Sequence, residues 1–134
     1  MSIREKNPIH IAGSGIAGMT AAINLSTRGK TVIIHEKHDR IGGARDGDFE
    51  GLENWIFAHT VPEFFSICGV DFNALRATPI YDFNVHLRGL DPVRVTSPEP
   101  FFYIVSRGTA NTSIDNYMAN ICRTNKVQFK FGKA

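Results

Sequence analysis

The chain has 134 residues, 43% of them hydrophobic and 21% charged, enough for one modest core. Fifteen basic side chains stand against thirteen acidic ones, a net charge of +2 with no long run of one sign, so the electrostatic footprint of a nucleic-acid binder is excluded. Cys68 and Cys122 form no CxxC, so metal and dithiol motifs are absent, and two reduced, partly buried thiols of a cytoplasmic protein are expected. Residues 8–12 form an apolar stretch too brief for a signal-peptide core, and no run is long enough to span a membrane.

That same short run stops at glycines and predicts a buried strand. Over residues 16–28, Ile16, Met19, Ala22 and Ile23 fall at helical spacing, and Gly29 follows as a C-cap. Residues 31–36 are β-branched and apolar, a second buried strand. Strand, helix and strand with short joints make a βαβ unit, with parallel strands and a right-handed crossover. Residues 37–54, rich in Gly, Asp and Arg, are expected to be loop. Thr60 and Glu63 read as a capping box with Pro62 in the first turn, opening a short helix through Phe64, Phe65 and Cys68.

The pattern then changes to period two. Tyr81, Phe83, Val85 and Leu87 alternate with Asp82, Asn84 and His86, a turn follows at residues 88–92, and Val93 and Val95 alternate with Arg94 and Thr96. With a third strand over residues 101–105, these predict a small antiparallel sheet. Thr112 and Asp115 read as another capping box, before a helix with Ile114, Tyr117, Met118, Ile121 and Cys122 on one face. Residues 126–131 alternate again, with Val127, Phe129 and Phe131 on one side, and have the length to return to the first sheet. The chain stops soon afterwards, at Ala134, and is expected to be part of a longer protein.

The strongest chemical signal is Gly13-Ser14-Gly15-Ile16-Ala17-Gly18, set between a strand and a helix, with Glu36 at the end of the second strand. Gly13 allows the tight turn, Gly15 lets a pyrophosphate reach the backbone, and Gly18 lets helix and strand pack closely. The N–H groups of Ile16 and Ala17 open the helix and face the phosphates, where the helix dipole adds partial positive charge. Glu36, with Lys37 beside it in the expected site, accepts hydrogen bonds from both ribose hydroxyls. Its charge would repel a 2′-phosphate, which argues against NADP here.

A second glycine motif follows in Arg40-Ile41-Gly42-Gly43-Ala44-Arg45. A nicotinamide-binding domain has no need of it. FAD lies extended, so its ribityl-pyrophosphate half runs past a second stretch of backbone, where Gly42, Gly43 and Ala44 would offer close approach and Arg40 or Arg45 would pair with phosphate.

Together these residues resemble the glutathione-reductase-type FAD fold, in the branch with the second GG motif. That branch includes amine oxidases, phytoene desaturases, aromatic hydroxylases and geranylgeranyl reductases. The stretch from Tyr103 to Arg107, then Ser113 to Asp115 and the helix to Arg123, is similar to the geranylgeranyl reductases and related hydroxylases. The resemblance implies that Arg107 lies near the flavin pyrophosphate. One departure is the loop at residues 108–112, longer than the hydroxylases usually carry.

The resemblance implies an α/β fold: a Rossmann-like FAD/NAD(P)-binding βαβ domain with a partial antiparallel β substrate region. Residues 1–50 and 107–134 would form the FAD domain and residues 51–106 the partial substrate or cap region. It implies the N-terminal part of an FAD-dependent oxidoreductase, reducing C=C bonds of a prenyl or other apolar small molecule or oxygenating it. NAD(P)H is a candidate electron donor, and peripheral contact with a membrane fits such a substrate. Catalytic residues would lie beyond Ala134, with the redox chemistry carried by the cofactor. An NAD-dependent dehydrogenase and a truncated, non-catalytic nucleotide-binding module are the rival readings. His35, His38, His59 and His86 have no metal-ligand spacing. Trp55, Phe57, Phe64 and Phe65 read as ordinary core or as the lining of a lipid-sized pocket.

Overall fold

A computed structural model describes residues 7–55 and 58–132. The βαβ unit forms as the periodicity requires: β1 (Ile9–Ala12), α1 (Ile16–Thr27) and β2 (Val32–Glu36). β1 and β2 pair in parallel, with Ile9 opposite Val32 and Ala12 opposite His35. Gly29, at φ +73°, closes α1: its amide donates to the Ser26 carbonyl, and the Lys30 amide donates to that of Leu25. Met19, Ala22 and Ile23 of α1 are fully buried, as are Val32 and Ile34 of β2. Uninterrupted Val-Ile-Ile is what a central parallel strand demands.

The chain then leaves this sheet through β3 (Phe49–Glu53), α2 (Val61–Ile67), β4 (Ala77–Ile80), β5 (Asp82–Val85), β6 (Val93–Thr96) and β7 (Phe102–Ser106). It returns through α3 (Ile114–Thr124) and β8 (Gln128–Phe131). β8 pairs in parallel with the free side of β2, giving the order β1-β2-β8, so the expected return to the first sheet is borne out. α1 packs on α3 beside that sheet, and Met118, Ala119 and Cys122 join Met19, Ala22 and Ile23 in one core. Burial pushes the Cys122 thiol up to about 11, so it stays protonated. No helix among the described residues is long and apolar enough to cross a membrane.

The excursion corrects three expectations. Residues 37–54 are not all loop, because Phe49–Glu53 is a strand whose partner, β7, lies far along the chain. The strands over residues 81–105 do not share a sheet. β5 and β6 form a two-stranded hairpin, whereas β7 sits between β3 and β4 in a separate three-stranded antiparallel sheet. The cap of α3 is Ser113, whose hydroxyl accepts from the Asn116 amide, and not Thr112. Asp115, read as the other half of that box, is turned inward to an arginine. The box at Thr60 and Glu63 is present in full. Phe65 packs edge-on against Phe72, and Phe72 against Tyr103, while Trp55 meets Phe101 and Phe102. Phe57 lies outside the described residues.

Candidate cofactor-binding site

Three glycines, two in the turn from β1 to α1 and one in the first turn of α1, serve three different ends. Gly13 sits at φ +88°, in the left-handed region, and its amide donates to the His35 carbonyl at 2.7 Å. A side chain at Gly18 would place its Cβ 2.3 Å from the Gly13 carbonyl oxygen and 3.4 Å from Ile11 Cγ2, so close packing needs glycine there. Gly15 differs from both. Its backbone is extended, at φ −69° and ψ 171°, and a Cβ there would meet nothing within 4 Å. What Gly15 keeps clear is open space above the N-terminus of α1. That helix has no side-chain cap, unlike α2 and α3, which Thr60 and Ser113 cap. The first amides of α1 therefore carry an unsatisfied partial positive charge toward the space.

Glu36 is buried at the end of β2. Its Oε2 accepts from the Ser14 amide at 2.9 Å and the Ser14 hydroxyl at 2.6 Å. Its Oε1 accepts from the His38 amide at 2.9 Å and lies 2.7 Å from His38 Nδ1. These four contacts occupy the lone-pair directions of the carboxylate. Burial alone would push the carboxyl up, but the Ser14 hydroxyl and the His38 and Ser14 amides outweigh it and hold the group at about 2, against an ordinary 4.5. A depressed folded-state value means stability that is complete above pH 4.5 and is lost as the pH falls from there toward 2. Glu36→Gln should therefore flatten the acid limb of stability across that window. Urea midpoints measured against pH check this, and an unchanged slope would remove Glu36 as a source of it.

The second glycine loop follows. Ile41 anchors it in the core, and Gly42, at φ +73°, starts a single 3₁₀ turn over Gly43–Arg45. A Cβ on Gly42 would fall 2.3 Å from the Gly108 carbonyl oxygen. Gly42 is thus fixed by the loop after β7, where the sequence reading gave it to ligand approach. At Gly43 a Cβ would meet only the flexible Arg40 side chain, at 3.3 Å. Gly42→Ala should cost about 1–3 kcal/mol for its backbone conformation alone, with the clash in addition. Gly43→Ala should be tolerated, and chemical denaturation of the two variants tests the contrast. Arg40 donates to Asp39 at 2.9 Å and Arg45 to Asp48 at 2.7 Å. Both pairs are exposed and weak, so either guanidinium is free to turn to a phosphate.

Arg107, at the end of β7, is buried, and its Nε and Nη2 donate to the two oxygens of Asp115 at 2.8 Å each. Its Nη1 donates to Glu50. Burial pushes the Asp115 carboxyl up, but the Arg107 guanidinium and the Gly108 amide hold it below its usual range. The fork of Arg107 is therefore committed within the protein.

Of the residues singled out from sequence, Gly15, Glu36, Arg40, Gly42, Gly43, Ala44, Arg45 and Arg107 line one cleft of about 70 Å³, together with Ser14, His38 and Asp115. The cleft lies between the two glycine loops, so the rest of an extended dinucleotide would run along open surface. Gly13, Ala17, Gly18 and Lys37 do not line it, and Ile16 faces a separate apolar cavity of about 310 Å³ with Leu52, Val61, Phe64 and Phe65. The sequence reading named Ser14, His38 and Asp115 but assigned none of them to the cofactor site. Ser14 occupies a variable place in the fingerprint, and His38 and Asp115 act through contacts no local pattern reports. Among the described residues no group of three or more His, Cys, Asp or Glu could hold a metal ion. His35 instead stacks on His10 across the strands.

A family model described as an NAD(P)-binding Rossmann-like domain matches residues 11–65, from β1 through most of α2. The fold is Rossmann-like. Over 59 residues the chain is 39% identical to the tRNA 5-methylaminomethyl-2-thiouridine biosynthesis bifunctional protein of Shewanella frigidimarina, which covers 44% of the chain and 8% of that protein. Over nearly its whole length the chain superposes on solved structures. The tetrameric form of 2-methyl-3-hydroxypyridine-5-carboxylic acid oxygenase matches with TM-score 0.70 and 20% identity, over 96% of this chain and 32% of that one. A geranylgeranyl bacteriochlorophyll reductase-like protein from Thermoplasma acidophilum gives 0.66 and 17%, over 93% and 30%. Aklavinone-11 hydroxylase, solved with FAD and aklavinone, gives 0.63 and 18%, over 98% and 26%. The chain thus spans about a third or less of the proteins it matches. The Rossmann-like βαβ unit and the excursion between β2 and β8 are both part of this likeness.

Proposed function

We propose that this chain is the N-terminal, cofactor-holding part of an FAD-dependent oxidoreductase. The observation that carries the reading is the clear space above Gly15. It opens onto the uncapped N-terminus of α1, and the cleft there is lined by Glu36 and by a second glycine loop. The Rossmann-like fold and the likeness to a hydroxylase solved with FAD support it.

On this reading Gly13, Gly15 and Gly18 shape the turn, and the amides of Ile16 and Ala17 receive the pyrophosphate. Glu36 and Lys37 hold the adenosine ribose. Because the Glu36 carboxylate is already fully engaged, a ribose hydroxyl enters by taking the place of the Ser14 hydroxyl or the His38 ring. Gly42, Gly43 and Ala44 border the second half of the cofactor, and Arg40 and Arg45 swing from their surface partners to its phosphates. Arg107 acts from the cleft wall. The bound flavin supplies the electron-transfer chemistry. Residues 1–50 and 107–134 form the cofactor domain, and residues 51–106 belong to the substrate side.

The finer reading is reduction or oxygenation of an apolar small molecule, with NAD(P)H as electron donor, in the cytoplasm. The apolar cavity beside Ile16 and the likeness to a geranylgeranyl reductase-like protein support the apolar substrate. The test is a visible spectrum of the chain after incubation with FAD and desalting, with circular dichroism on the same sample. A stoichiometric flavin band on a folded chain is expected. A folded chain that releases FAD, or that retains NAD instead, would overturn the assignment.

A further inference from the structure

Beyond Ile41 at its base, the second glycine loop is held from within only by its short turn and the exposed Arg45–Asp48 pair. Residues 43–48 are all exposed, and Gly42, Gly43 and Gly47 give the segment a large conformational entropy to lose. What fixes it comes from the loop after β7. The Asp46 carboxylate accepts from the Thr109 amide at 2.9 Å and from the Thr109 hydroxyl. Gly42 lies against Gly108, and a Cβ on Gly108 would fall 2.5 Å from Asp46 Cα. The 108–112 loop is itself pinned from below. Asn116 Nδ2 donates to the Thr109 and Ala110 carbonyls at 2.9 and 3.1 Å, Ser113 Oγ to the Gly108 carbonyl at 2.7 Å, and the Gly108 amide to Asp115 at 2.9 Å. The Thr109 hydroxyl and amide hold the Asp46 carboxyl below its usual range.

We propose that Asp46 and Thr109 are positioning residues for the cofactor, a brace by which the loop after β7 sets the second glycine loop before FAD arrives. The inference rests on the FAD reading above. Neither Asp46 nor Thr109 lines the cleft. The brace works by removing the ordering cost of the glycine loop from the binding step.

The test compares wild type, Asp46→Ala, Asp46→Asn and Thr109→Val by amide hydrogen exchange over residues 42–47 without ligand and by FAD titration. Asp46→Ala should speed exchange in that segment and weaken FAD about tenfold, with the far-ultraviolet spectrum unchanged. Asp46→Asn keeps an acceptor for Thr109 and should recover most of both. Should Asp46→Ala fail to fold, Thr109→Val carries the same two readings. Wild-type exchange in the folded Asp46→Ala or Thr109→Val variant would overturn the brace. Faster exchange with unchanged FAD affinity would overturn its role in positioning. A wild-type chain that binds no FAD would overturn the cofactor reading and the positioning role with it, while exchange alone would still report whether the loop is braced.

Discussion

Gly15→Val should abolish FAD binding and leave the chain folded. Valine adopts the extended backbone of Gly15 without strain, and its Cβ enters space where no protein atom lies within 4 Å. As the N-cap of α1 it costs the helix at most about 1 kcal/mol. Its branched side chain would stand where a pyrophosphate meets the amides of Ile16 and Ala17. Each charged hydrogen bond lost there is worth about 1.5–3 kcal/mol, so affinity should fall by on the order of a hundredfold or more. Gly18→Ala in the same motif should do the reverse, because its Cβ would collide with the Gly13 carbonyl and the loss would fall on stability. FAD fluorescence titration beside a thermal melt separates the two. Undiminished binding by Gly15→Val would mean that the turn holds no ligand.

Asp115→Ala should destabilise the fold by about 3–5 kcal/mol, the usual cost of leaving one member of a buried ion pair alone. Its side chain is 3% exposed and that of Arg107 is 8% exposed, and their contact is two-pronged. Glu50 still reaches Arg107 but is 41% exposed, which places the loss toward the lower end. The same substitution frees the Gly108 amide and so loosens the loop that carries Thr109. If the cost comes from the stranded charge, Arg107→Met with Asp115→Leu should recover part of it. Urea denaturation of the single and double variants decides. A single variant as stable as wild type would mean the pair contributes nothing to the fold. The pair also sharpens acid sensitivity: with the Asp115 carboxyl held below its usual range, its share of stability is present above the ordinary value of 3.8 and is lost as the pH drops below it.

Much of the Rossmann-like βαβ unit was legible because its signals are local. Glycines at fixed offsets, a helix closed by Gly29 and an unbroken Val-Ile-Ile strand each settle their own conformation within a few residues. The excursion was less so. β3 reads Phe-Glu-Gly-Leu-Glu, which carries no strong strand pattern, and it is a strand because β7 lies beside it. The same holds at α3, where Thr112 and Ser113 are both fit to cap a helix. Ser113 is the cap, and Asp115 is paired instead with Arg107, a residue the local pattern does not connect to it. In the site, Gly42 was legible as a glycine that must be there, but its reason was not. A loop glycine packed on another loop's backbone looks, in sequence, like one reserved for a ligand.

The pairing of β2 with β1 on one side and β8 on the other has a kinetic consequence. The first glycine turn is set by β1, α1 and β2, which follow one another within a short stretch and pair locally, so it is able to form early. The second glycine loop is braced by residues 108–109, far along the chain, and β8 is likewise distant in sequence from its partner β2. Closing that long loop is a cost met before its contacts give anything back. The two glycine segments that line the candidate cleft are therefore expected to order at different times during folding, the local turn before the braced loop.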